Sequence, residues 1–165
     1  QEKFLPHIAG SEELIKKIGI LIDGANKLNI PILLTEQYPK GLGHTCKELL
    51  ERENCERAIQ KDTFSCCGEN SFMEDLKKLS RTHVVVTGIE THVCVLQTVL
   101  DLLDKGYNVH VISDGVSSRH KKDRKTALQL MRDAGAVISC TETAIFQWLG
   151  KSGTKEFKEI QPLIK

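Results

Sequence analysis

Two kinds of segment alternate along this chain, and the alternation limits the folds open to it more than any other feature. Short apolar runs stand at 30–36 (IPILLTE), 57–61 (RAIQK), 83–89 (HVVVTGI), 108–114 (NVHVISD) and 136–140 (AVISC), and stretches of helical period separate them. Such stretches cover 45–53, 69–80, 91–105, 121–134 and 141–149, with Gly106 and Gly135 placed to close two of them. A longer one opens the chain at 11–29, apolar at 14, 15, 18, 21, 22, 25 and 28, with Ser11 as its expected cap. The runs are apolar on both faces, which suits parallel strands covered by helices on each side. The expected architecture is a single α/β domain, a three-layer Rossmann-like sandwich. A chain of 165 residues can bury a core of that kind without staples.

Composition removes several classes of partner. The net charge is +1 with 27% charged residues, so no overall field calls for nucleic acid or an anionic membrane. No apolar run approaches the roughly 20 residues of a membrane span. The cysteines at 46, 55, 66, 67, 94 and 140 are scattered, two are vicinal, and none forms a Cys-x-x-Cys pair. Reduced thiols in an intracellular protein are expected, in the cytoplasm, with the mitochondrion as the alternative compartment. The histidines show no metal-ligand spacing and no glycine-rich phosphate loop is present, so no metal and no cofactor are expected.

In a parallel sheet covered on both faces, ligands bind at the carboxyl ends of the strands. That rim would collect Glu36 and Gln37, Lys61, residues 89–94 and Asp114. Cys94 stands where a strand gives way to a helix, a place where free amides favour a thiolate and can hold an oxyanion. The plainer reading makes it a small buried hydrophobe. His92 lies two residues away and cannot face it on a helix. Lys61, at the end of a neighbouring strand, is the better partner, although a lysine at a strand end is ordinarily just solvated.

Taken together, K-x-x-F-S at 61–65, GIETHVCV at 88–95, LLTEQYPKGLG at 33–43 and DGVSSR at 114–119 resemble the isochorismatase-like cysteine hydrolases. Within them the chain is most similar to the eukaryotic isochorismatase domain-containing proteins, over essentially its whole length. The resemblance implies a six-stranded, mostly parallel sheet of order 3-2-1-4-5-6. It also implies an Asp-Lys-Cys triad with Lys61 and Cys94 as two members. The family's Asp ends the first strand in an Asp-x-Gln motif whose glutamine corresponds to Gln1. Both that strand and its Asp would therefore lie upstream of Gln1, and the printed residues would be N-terminally incomplete. A cis peptide is implied at Ile89-Glu90, aiming the Glu90 and Cys94 amides at one point as an oxyanion hole. Gln1, Phe4, Gln37, Tyr38 and Phe64 fall at substrate-contacting or pocket-wall positions.

The implied function is hydrolysis of a small amide, ester or related substrate by a nucleophilic cysteine. The metal-binding Asp-x-His of the nicotinamidase branch is replaced by TEQYP, which argues against zinc and against that activity. Two other functions stand beside it. One is a catalytically inactive interaction module that keeps the fold. The other is a ribonuclease-type activity, supported locally only by SSRHKKDRK at 117–125, a basic loop without aromatic platforms. The tail at 157–164 places Phe157, Ile160, Leu163 and Ile164 at near-helical spacing, and such a stripe either docks on its own domain or covers a neighbour. A homo-oligomer is the expectation.

Overall fold

The computed structural model describes residues 1–52 and 57–164. Cys55 and the end of the helix expected over 45–53 lie outside the described residues. The described residues form five strands, β1 (Leu34–Gln37), β2 (Ala58–Lys61), β3 (His83–Ile89), β4 (Asn108–Ser117) and β5 (Val137–Ser139). Helices α1 (Ser11–Lys27), α4 (Asn70–Lys78), α5 (Leu96–Asp104), α6 (Lys121–Asp133) and α7 (Thr141–Leu149) connect or flank them. Single turns α2 (Pro39–Leu42) and α3 (Lys47–Leu50) follow β1, and α8 (Lys155–Ile160) ends the chain with a 3-10 turn, Gln161–Ile164.

β4 explains why three layers form. Its Val109, Val111 and Val116 join a core with Phe72 and Leu76 of α4, Val99 and Leu102 of α5 and Met131 of α6. Ile112, pointing the other way, joins Ile20 and Leu21 of α1, Ile145 of α7 and Ile160 of α8. Alternation along one strand thus supplies both faces, each covered by helices. Burying each aliphatic side chain contributes about 1.5–3 kcal/mol.

All pairings are parallel, but the sheet is not one piece. Among the described residues β1 pairs only with β2, and β3-β4-β5 form a separate sheet. The expected six-stranded sheet of order 3-2-1-4-5-6 is therefore corrected to sheets of two and three strands among the described residues. No described strand pairs with the inner edge of β1 or of β3. Between those edges runs a slot of about 570 Å³, lined by Leu33 and Thr35 on one side and Val84 and Val86 on the other.

Smaller corrections have simple causes. Gly10, left-handed at φ 68°, is the residue before α1, so Ser11 is its first residue rather than its cap. The stretch expected as one helix over 91–105 begins as a turn of π-helix, Thr91–Val95, before α5. The tail docks on its own domain: Ile160 is fully buried, and Leu163 and Ile164 pack beside it. That stripe consequently gives no support to self-association. No described helix is long and apolar enough to cross a membrane.

Candidate active site at the carboxyl rim

β1 and β2 end side by side, with Gln37 opposite Lys61 in the register. This pairing brings together two of the residues singled out in the sequence. The Lys61 side chain is 5% exposed, and its ammonium donates to Gln37 Oε1 at 2.6 Å, Thr63 O at 2.8 Å and Phe64 O at 2.8 Å. All three ammonium protons therefore have acceptors, as burial of a charge requires. Gln37 is held from its other end, its Nε2 donating to Asp62 O at 2.8 Å. Its Oε1 faces the cysteine as well, 4.0 Å from Cys94 Sγ. One amide oxygen thus stands between a buried cation and a thiol.

Cys94 reaches this point because β3 delivers the chain to the same rim. Gly88, at φ 118°, takes a conformation closed to most side chains, and nothing crowds its Cα. The Ile89-Glu90 peptide is cis, and the π-turn follows at once. Burial pushes the Cys94 thiol up from its ordinary value, and the Lys61 charge pulls it back only in part. The shift runs against the thiolate expected from a helix start, because desolvation outweighs the lysine's charge. Burial pushes the Cys67 thiol up to about 11, against a smaller pull from the Ser65 hydroxyl. Cys46, Cys66, Cys67, Cys94 and Cys140 are free.

Glu90 is also buried, and its Oε1 accepts from the Arg119 amide at 3.0 Å and Arg119 Nε at 3.1 Å. The Arg119 guanidinium in turn lies 5.5 Å from the centre of the Phe4 ring. Phe4 is thereby fixed on the segment that crosses the rim. Gln1 pairs with the Gln37 backbone, accepting from its amide at 3.1 Å and donating to its carbonyl at 3.0 Å, and donates to Gly43 O at 2.8 Å. Its side-chain amide is occupied in positioning Gln37. Tyr38, next to Gln37, and Phe64, three residues after Lys61, are the open part of the site, 53% and 54% exposed. Tyr38 sits at φ 38° and donates its amide to Lys61 O at 2.9 Å, so the chain bends sharply beside the lysine.

Two rim carboxylates turn out to be structural. Glu36 is 1% exposed and accepts from the Thr45 amide at 2.7 Å and from His44 Nδ1 at 2.9 Å. Asp114 Oδ1 accepts from the amide and hydroxyl of Thr141 at 2.8 and 3.0 Å, capping α7. His92 turns from the cysteine, its Nδ1 3.0 Å from Ser118 Oγ and its Nε2 4.0 Å from Asp123. Arg119 was noted in the sequence only within DGVSSR and the basic loop, with no role of its own. Thr98 and Asp101 were not singled out, although the helical spacing 94, 98, 101 put them on the cysteine's face. Among the described residues no three His, Cys, Asp or Glu side chains converge to hold a metal ion.

The isochorismatase domain family matches residues 1–143. Isochorismatase family protein 1A of Dictyostelium discoideum is 44% identical, covering 99% of this chain and 81% of its own length. The structure described as MAR1 ribonuclease from Caenorhabditis elegans superposes with a TM-score of 0.93 at 46% identity, over 99% of this chain and 84% of that one. An Escherichia coli protein, the YcaC gene product, described as an octameric hydrolase of unknown specificity, shares the fold alone. It has a TM-score of 0.80 at 18% identity, over 99% of this chain and 87% of that one. With β2 and β3 delivering Lys61 and Cys94 to one rim and a family match across most of its length, the chain belongs to the isochorismatase family.

Proposed function

We propose that the protein is a cysteine hydrolase of small amides, esters or related substrates, with Cys94 as nucleophile and Lys61 as its electrostatic partner. The observation that carries this reading is the single oxygen, Gln37 Oε1, shared between Lys61 Nζ at 2.6 Å and Cys94 Sγ at 4.0 Å. A substrate carbonyl entering there meets the sulfur and the buried cation together. Because burial keeps Cys94 protonated near neutral pH, attack requires a base. Glu90 is engaged by Arg119. The base in this reading is the Asp of the family's triad.

In this mechanism the Asp takes the thiol proton and the sulfur bonds to the carbonyl carbon. The Glu90 and Cys94 amides hold the resulting oxyanion. The leaving group departs with the proton, and water then attacks the thioester to release the acid and restore the thiol. Lys61 stabilises the negative charge at each stage. Gln1 and Phe4 shape the rim, while Gln37, Tyr38 and Phe64 contact the substrate. Turnover of an amide and ester panel tests the reading. Cys94→Ala should lower it on the order of 10³-fold or more; retained turnover in that variant would refute the nucleophile.

The ribonuclease-described relative favours a second reading, cleavage of RNA at the same rim. The basic segment supports it weakly, since Arg119 bonds to Glu90 and Arg124 Nε to Val116 O at 3.0 Å. Exposed Lys121, Lys122 and Lys125 remain. RNA binding that weakens steeply with salt would favour this reading over small-molecule hydrolysis. We also propose self-association, as in the octameric E. coli protein, through the exposed Leu130, Val137 and Phe146. Sedimentation showing only an 18.5 kDa species would refute it.

A further inference from the structure

We propose that Asp101 and Ser65 form a relay through which helix α5 holds the Lys61 ammonium in place, making Asp101 a positioning residue for the lysine–cysteine site. The inference rests on the reading of Lys61 and Cys94 given above and extends it to residues that touch neither.

The chain of contacts is continuous. Lys61 owes two of its three bonds to consecutive carbonyls, Thr63 O and Phe64 O, both at 2.8 Å. Two successive carbonyls face one ammonium only if the loop is held in one conformation, and a four-carbon side chain does not impose that by itself. The hold comes from the next residues. Ser65 is 8% exposed, and its hydroxyl donates to Asp101 Oδ2 at 2.5 Å while accepting from the Cys67 amide at 3.2 Å. Thr63 Oγ1 donates to Ser65 O at 2.9 Å, closing the loop on itself. The Cys66 amide donates to Thr98 Oγ1 at 2.9 Å, a second attachment one helical turn earlier.

Thr98 and Asp101 stand on the helix that continues directly from the π-turn carrying Cys94. Nucleophile and lysine clamp are therefore set by one rigid element, and their separation does not depend on the sheet alone. The Ser65–Asp101 bond, from a hydroxyl to a carboxylate, is the stronger kind.

Alkylation of Cys94 by iodoacetamide as a function of pH, read by peptide mass spectrometry, tests the relay without knowledge of the substrate. With Asp101→Ala, the profile should move to higher pH and the rate at neutral pH should fall about fivefold, because the loosened lysine stabilises the thiolate less. Ser65→Ala, which removes only a hydroxyl, should do the same, and the double variant should add little. Asp101→Asn keeps an acceptor for Ser65 and should restore most of the wild-type profile. A merely structural Asp101 would lower thermal stability and leave the profile where it was. Lys61→Met separates the two levels. If it moves the profile while folded Ser65→Ala and Asp101→Ala do not, the relay is wrong and the lysine–cysteine pairing stands. If Lys61→Met leaves the profile unmoved, the pairing and the relay fall together.

Discussion

Glu36 and Lys61 are both charged, both buried, and both on the paired strands β1 and β2, yet they serve opposite ends. Glu36 is wrapped by its own downstream loop: the Thr45 amide and the His44 ring close over its two oxygens. Lys61 is met by an amide oxygen and two carbonyls, all neutral. A carboxylate capped by local donors has its charge spent on holding a loop. An ammonium with neutral partners keeps a net positive field, available to whatever anion forms beside it. Burial alone therefore does not mark a functional charge; the nature of its partners does.

The comparison breaks first on catalysis. Lys61→Met should reduce turnover by about 100-fold, within the range seen when one preorganised electrostatic group is removed. Glu36→Gln should leave turnover per folded molecule within about twofold, since it changes no group aimed at substrate. A loss in Glu36→Gln comparable to that in Lys61→Met would erase the distinction.

Stability should rank the pair the other way. Glu36→Gln replaces a charge-assisted bond with a neutral one and should cost about 1–2 kcal/mol in denaturant unfolding. The pH dependence follows from the direction of the shift. Burial pushes the Glu36 carboxyl up, but the Thr45 amide and His44 outweigh it, so its folded value lies below the usual one. Its contribution is then present above the unfolded value of about 4.3 and is lost as pH falls through the lower folded value. Wild-type protein should lose stability over that window more steeply than Glu36→Gln. Parallel acid profiles would show that the carboxylate is not held as described.

The smallest expected effect concerns the thiols. Cys94 and Cys67 are both raised by burial, but only Cys94 has Lys61 acting against the rise. Cys94 should react with iodoacetamide several-fold faster than Cys67, yet more slowly than a free cysteine at neutral pH. Equal rates for the two in folded protein would remove the lysine's influence from the account.

Much of this was legible in the residues themselves. Strand β3 and helices α6 and α7 fall within a residue of the runs expected for them, because apolar period and glycine closure are local signals. Lys61 and Cys94 were identified because strand ends carry the chemistry in such folds. Gln37 was expected as a substrate contact; in the structure its side-chain oxygen lies between thiol and cation. That placement needed the β1–β2 register, which pairs it with Lys61 across 24 positions of sequence.

The sequence by itself determined the class of fold, the rim on which chemistry would collect, and the residue types able to perform it. These follow from periodicity and side-chain chemistry, which act over a few residues. Tertiary structure alone decided that Glu36 and Asp114 anchor loops and helices, and that the tail folds back onto α1 and α7. It also set the direction in which the Cys94 thiol is shifted. Dipole and lysine argued for a thiolate, but the sign of the shift depends on how much water the surrounding elements exclude, and desolvation is a property of packing.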